Sequence, residues 1–141
     1  MKYLADVNIL IALTDDHHVH HDKVKGWFNR SGNQNWGVCA FTEAGYLRAA
    51  INPKVGSQTA EEATAILVAL AEHPGYHYWP ILDGWSISTA PFRERLFGRQ
   101  QVTDAYLLGL AVKENGVLVT LDKGIKFLAG LDHRHNVLVL E

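Results

Sequence analysis

Four acidic side chains carry the chemistry that this sequence is equipped to do. Asp6 interrupts the apolar segment LADVNILIAL, Glu43 lies in FTEAGYLRA, Asp104 in VTDAYLLGLA and Asp122 in LVTLDKG. Carboxylates that share a crevice repel one another, and one pair at ~4 Å costs roughly 4 kcal/mol at an effective dielectric of ~20. Protonation or a bound cation has to relieve that repulsion. Hard oxygen ligands in a partly hydrated site suit Mg²⁺ or Mn²⁺ better than zinc. Such an ion lowers the pKa of water and neutralises charge on a phosphodiester in its transition state. Taken singly, each acid has a plainer reading. Glu43 or Asp104 in the first turn of a helix complements the helix dipole, and Asp122 after a strand is a common turn residue. Asp6 is harder to dismiss, because it sits inside an apolar run.

What would gather these residues is a parallel sheet. The apolar runs predict strands over Lys2–Ala5, Trp36–Ala40, His77–Ile81, Val117–Leu121 and Val137–Leu140. Between them, helical spacing starts at about Asn8 and recurs over Val19–Arg30 and Thr42–Ile51, the latter stopped by Asn52-Pro53. Thr59 followed by Glu62 is a capping-box pattern that opens a helix to Glu72. A short helix is expected before Gly98, and Thr103 is expected to cap a helix over Asp104–Glu114 that ends at Asn115-Gly116. A helical turn over Lys123–Leu128 follows Asp122. Strands alternating with helices imply a three-layer α/β/α sandwich around a central parallel sheet, an α/β fold. Ligands of such sheets bind beyond the carboxyl ends of the strands. Asp6, Glu43 and Asp122 fall at that rim on topology alone. Asp104 joins them only if its helix begins beside the same rim.

Length and composition set the frame. The 141 residues, 48% hydrophobic and 20% charged, suit one folded domain spanning 1–141 and argue against disorder. No apolar run approaches the ~20 residues of a membrane helix. The apolar start contains Asp6 and Asn8 and lacks a clean small-residue cleavage site, so the chain reads as cytoplasmic. Its one cysteine, Cys39, permits no internal disulfide and reads as a small buried residue. The net charge is −2, which excludes a broad basic surface for nucleic acid. Any such contact has to be local or aided by a cation.

YLADVNILIAL, FTEAGYLRA, VTDAYLLGLA and LVTLDKG, in this order, resemble the four acidic motifs of PIN-domain nucleases, and most closely the VapC-type toxins of bacterial toxin–antitoxin pairs. The resemblance runs from residue 3 to 124. It implies that Asp6, Glu43, Asp104 and Asp122 coordinate Mg²⁺ or Mn²⁺ and activate water for RNA cleavage. Asn8 is similar to the family's polar partner of the first Asp, and Thr120 to a hydroxyl beside the metal site. Thr103 would support the site on the same footing, although an N-cap role explains it equally well. An antitoxin partner and a homodimer are also implied.

Other residues invite readings of their own. His17, His18, His20 and His21 lack the H-E-x-x-H pattern and any second ligand pair at finger spacing, so a helix start with one imidazole packed on Trp27 is the expectation. Arg93, Arg95 and Arg99 precede the third motif, and Lys123 and Lys126 follow the fourth. Lys123 and Arg99 are the candidates to hold phosphates beside the scissile one, against the alternative of a solvated helix face. Tyr76, Tyr78 and Trp79 offer base stacking, with core packing the commoner fate of such a strand. Asp83 could add a fifth acid and is left out of the site. A phosphoacceptor receiver domain would need adjacent acids after the first strand, where Val7 stands here, and a Lys after the last. An inactive binding module of the same fold and a structure-specific DNA nuclease remain as alternatives. The latter usually carries insertions and basic surfaces that this chain lacks.

Overall fold

The computed structural model describes residues 1–141. Its sheet contains β1 (Tyr3–Ala5), β2 (Trp36–Gly37), β3 (Val117–Thr120) and β4 (Val137–Val139), all parallel, in the order β2-β1-β3-β4. Leu4 lies opposite Gly37 on one side and Leu118 on the other, and Val119 lies opposite Leu138. β3 is buried along its whole length, as an apolar run without alternation requires of a strand covered on both faces.

The helices divide between those faces. α1 (Val7–Thr14), α2 (His21–Arg30), α3 (Ala40–Ile51) and α4 (Ala60–Ala71) flank one of them. Ile9, Leu10, Val24, Trp27, Phe28 and Tyr46 there pack with Ala5 and Val119 of the sheet. On the opposite face, α6 (Val102–Lys113) and α7 (Gly124–Ala129) bring Leu107, Leu108, Ile125 and Leu128 onto Leu4 and Leu118. Neighbouring strand residues thus serve opposite cores, the period-2 rule of a pleated strand. Each fully buried Leu contributes roughly 1.5–3 kcal/mol. The expected three-layer α/β/α sandwich is what forms.

Several local expectations hold. The capping box of α4 is complete: Glu62 N donates to Thr59 Oγ1 at 3.1 Å, and Thr59 N donates to Glu62 Oε1 at 3.0 Å. α5 (Trp85–Thr89) supplies the short helix before Gly98. Asn115, in the left-handed region at φ 54°, stops α6, and Gly116 N closes back onto Ala111 O. At Gly45 the chain needs a missing side chain, since a Cβ there would meet Val7 Cγ2 of α1 at 2.4 Å.

Others need correction. His77–Ile81 is not a strand. His77 N and Trp79 N donate to Trp36 O and Val38 O, and Tyr76 bridges Trp36, so the segment lies along the outer edge of β2. Pro80 has no N–H with which to carry the ladder further. β2 itself is only two residues long, because Cys39 already sits at the N-cap of α3. α6 begins at Val102, out of a 3₁₀ turn at Arg99–Gln101, with Gln101 at its N-cap. Thr103 is therefore the second residue of the helix and caps nothing. α2 begins at His21, leaving Val19 exposed.

Candidate active site

The order β2-β1-β3-β4 makes the chain switch direction between β1 and β3, and the crevice beyond their carboxyl ends is where ligands of such sheets bind. Asp6 follows β1 there and Asp122 lies just past β3. Asp6 is 6% exposed and is the N-cap of α1. Its Oδ1 accepts Val7 N at 2.7 Å, and its Oδ2 accepts the Thr120 hydroxyl at 2.7 Å. That hydroxyl in turn accepts Asn8 Nδ2 at 3.2 Å and Asp122 N at 3.0 Å, which uses its one proton and both lone pairs. Asn8 Oδ1 accepts Leu121 N at 3.1 Å. Asn8 and Thr120 thereby lock the end of β1 to the end of β3 and aim the Asp6 carboxylate.

Asp122 is exposed, and its Oδ1 accepts Gly124 N at 2.8 Å, so the turn reading of this residue is realised as well. Asp104 is half-buried in the first turn of α6, and Glu43 is half-buried in the first turn of α3. Thr42, which sequence reasoning passed over as a site residue, is fully buried, and its hydroxyl donates to Ala5 O at 3.0 Å. It ties the start of α3, and Glu43 with it, to the end of β1. Its position one residue before Glu43 was the only signal.

Electrostatics links three of the four acids. Burial pushes the Asp104 carboxyl up to about 7, with the charges on Asp6 and Asp122 adding to it. Asp6 is also raised, by burial first, against the lowering effect of its hydrogen bonds from Thr120 and Val7, and with a smaller contribution from Asp122. The charge of Glu43 is felt instead at the Tyr76 phenol, which burial first and Glu43 second raise to about 12. None of the protein's ion pairs includes Asp6, Glu43, Asp104 or Asp122. No three His, Cys, Asp or Glu side chains stand close enough together to hold a metal ion as placed. The donor set still fits one in chemistry: the oxygens are hard and lack a protein cation, and Asp6, Asp104 and Asp122 repel one another.

The remaining candidates separate clearly. Lys123 and Arg99 are exposed and free of ion pairs, Lys123 immediately after Asp122 and Arg99 in the turn leading to Asp104. Arg93 donates to Ser86 O, and Arg95 donates to Leu128 O and Ala129 O at 2.9 and 3.0 Å. Both guanidinium groups are thus engaged by backbone carbonyls, and Arg95 ties its segment to the end of α7. Lys126 reaches Glu141 at 3.9 Å, and Asp83 pairs with Lys113, away from the crevice. Trp79 is buried, Tyr76 packs edge-on against Trp36, and only Tyr78 is well exposed. His21 does not pack on Trp27; its Nδ1 hydrogen-bonds Ala12 O at 2.8 Å, while Trp27 meets Tyr3 and Phe28. Cys39 is fully buried, as expected.

A parallel sheet covered by helices on both faces, with Asp6 and Asp122 at the carboxyl ends of neighbouring strands, defines a class, and the family model described as PIN domain matches residues 3–131: the chain belongs to the PIN-domain family. Among its relatives, Ribonuclease VapC44 of Mycobacterium tuberculosis is 38% identical over 130 residues, covering 92% of each chain. Ribonuclease VapC38 of the same organism is 38% identical over 130 residues, covering 89% of each. Among solved structures, FitAcB from Neisseria gonorrhoeae matches with a TM-score of 0.68 at 17% identity, over 99% of this chain and 96% of that one. VapBC2 from Rickettsia felis, bound to a DNA fragment from its promoter, matches with a TM-score of 0.66 at 14% identity, over 99% and 97%. At those identities the structural likeness speaks to the fold.

Proposed function

We propose that this chain is a Mg²⁺- or Mn²⁺-dependent endoribonuclease, one nuclease domain throughout, acting as the toxin of a toxin–antitoxin pair. The observation that carries the reading is the placement of Asp6 after β1 and Asp122 after β3, at the switch point of the sheet. A buried Asp6 is aimed by Thr120 and Asn8, beside an Asp104 raised to about 7, and no protein cation neutralises either. The names of the relatives support ribonuclease activity. Asp6, Asp104, Asp122 and Glu43 are the residues that would hold the ion. A divalent cation bound there supplies charge neutralisation at the scissile phosphate and a lowered pKa for water.

The chain's own contribution is positional. Thr120, itself held by Asn8, and the Val7 amide hold both oxygens of Asp6, so little reorganisation remains when substrate arrives. Asp104, half-buried in the first turn of α6, can hold a proton at its carboxyl near neutral pH. Thr42 keeps Glu43 at the same rim. Lys123 and Arg99 are the cations available to neighbouring phosphates of the strand. Thr103, on the helix turn that carries Asp104, is a supporting residue. The likeness of the fold to the VapBC2 and FitAcB structures supports an antitoxin partner. A homodimer and a cytoplasmic setting complete the proposal.

The test is cleavage of total cellular RNA by purified protein, with Mg²⁺ or Mn²⁺ and with chelator, alongside Asp6→Ala and Asp104→Ala. Discrete, metal-dependent fragments that both substitutions abolish are the expected result. Wild-type cleavage by Asp6→Ala would remove the catalytic assignment. Folded, inhibitor-free protein that cuts nothing in either metal would leave an inactive binding module. Cleavage confined to structured DNA would transfer the chemistry to that substrate.

A further inference from the structure

Two phenylalanines stand largely exposed and stack on each other. Phe97 is 77% exposed and Phe127 57% exposed, and their rings stack at 5.1 Å with an interplanar angle of 26°. Large apolar side chains in such a position lose most of the benefit of burial. The stack is nevertheless held. Arg95 fastens the chain before Phe97 to the end of α7 through Leu128 O and Ala129 O. Phe97 N donates to Gln101 Oε1 at 2.6 Å, closing the loop. Gly130, at φ 67°, lets α7 stop where Arg95 reaches it; a Cβ there would sit 2.9 Å from the guanidinium carbon.

Both rings spring from elements that carry candidate carboxylates. Phe127 lies on α7, five residues after Asp122, so its Cα is within about 18 Å of that residue's Cα even for a fully extended chain. Phe97 precedes the turn that opens α6, the helix of Asp104. Two cations near the stack in sequence have no ion-pair partner, while Lys126 of α7 pairs with Glu141. Arg99 and Lys123 are exposed and unpaired, and neither the stretch 96–101 nor α7 contains an acid. An exposed aromatic stack with two unpaired cations two and four residues away along the chain suits a strand of phosphates and bases. A second copy docked symmetrically on the same patch would bring these cations against their own equivalents.

We propose that the Phe97–Phe127 stack is a platform for a nucleobase of the RNA strand, a few nucleotides from the phosphate held at the acidic crevice. Arg99 and Lys123 contact the flanking phosphates. This rests on the ribonuclease reading for its substrate, and the test separates the two.

The experiment measures binding of a short fluorescein-labelled oligoadenylate by anisotropy in chelator, where no cleavage intervenes. It compares wild type with Phe97→Leu, Phe127→Leu and Phe97→Tyr, each checked by a thermal melt. Leucine keeps apolar area and removes the π-face; tyrosine keeps both. The leucine variants are expected to bind about 5- to 100-fold more weakly and the tyrosine variant near wild type. In cleavage the loss falls on KM, with kcat retained. Leucine variants that bind as wild type does, while wild type cleaves RNA, overturn the platform and leave the nuclease. Wild type that cleaves nothing, with binding still lost in the leucine variants, overturns the nuclease and supports the platform. A change in sedimenting mass with RNA binding intact identifies the patch as a contact between copies and overturns the proposal.

Discussion

Asp104→Asn removes a charge that the metal-free fold carries at a cost. In the unfolded chain this carboxyl ionises near its ordinary 3.8; in the fold, burial and then the charges of Asp6 and Asp122 raise it to about 7. Between those values the folded protein retains a proton that the unfolded chain has released. Stability therefore falls as pH rises through that window, and the deficit is complete above it. The difference of about 3 units (7 − 3.8), at about 1.36 kcal/mol each, sets an upper bound of about 4 kcal/mol. Asp104 is only part-buried, and solvent screening brings a realistic figure to about 2 kcal/mol. Asparagine keeps the shape and drops the charge. In chelator at about pH 8, Asp104→Asn is expected to melt roughly 4–8 °C above wild type. Near pH 4 the two melts converge, because the wild-type carboxyl is then largely protonated in the fold and about half protonated in the unfolded chain. The same variant is expected to lose RNA cleavage. Added Mg²⁺ should raise the wild-type melt more than that of the variant, since an ion bound only to the folded state stabilises it by mass action. A variant no more stable than wild type at about pH 8, or a gain unchanged near pH 4, would refute the electrostatic argument.

Three further outcomes follow from named contacts. Thr120→Val removes the hydroxyl that Asp6, Asn8 and the Asp122 amide share, and is expected to cost about 1–3 kcal/mol in a denaturant titration. Loss of that hydrogen bond also raises Asp6 further, so the rising limb of a cleavage pH profile should move to higher pH, whereas Thr120→Ser should restore it. Thr59→Ala opens the capping box of α4 and is expected to lower stability by about 0.5–2 kcal/mol in a thermal melt while leaving RNA cleavage unchanged. Asp83→Ala breaks a partly exposed pair with Lys113, so cleavage at the wild-type rate and a stability change of no more than about 1 kcal/mol are expected; a large fall in rate would bring Asp83 into the site after all.

How much of this was legible in the chain varies with the range of the interaction. The layer architecture was readable because apolar runs such as VLVT and the 3.6-residue spacing of Val24, Trp27 and Phe28 are local signals with a global consequence. The capping box of α4 was readable because both partners lie within four residues. The strand at His77–Ile81 was misread, since its apolar residues say nothing of how far a ladder can run past Pro80. The start of α6 was misplaced by two residues, because Thr103 is a good cap in isolation while the 3₁₀ turn before it already supplies the first helical turn.

The candidate site divides in the same way. That Asp6 and Asp122 stand at the carboxyl ends of strands follows from sequence order alone, as does the proximity of Asn8 to Asp6. Sequence could not decide whether Arg93, Arg95 and Arg99 share a role. Only the folded chain assigns two of them to backbone carbonyls and leaves Arg99 free. It could not place Thr42 under Ala5, or bring Phe97 onto Phe127 across thirty positions of chain. The reason is physical: periodicity and capping are encoded within a few residues, where geometry is fixed by the backbone. The raised carboxyl of Asp104 and the hydrogen bond from Thr120 to Asp6 exist only once β1, β3 and α6 have packed, because burial and charge proximity are properties of the assembled fold.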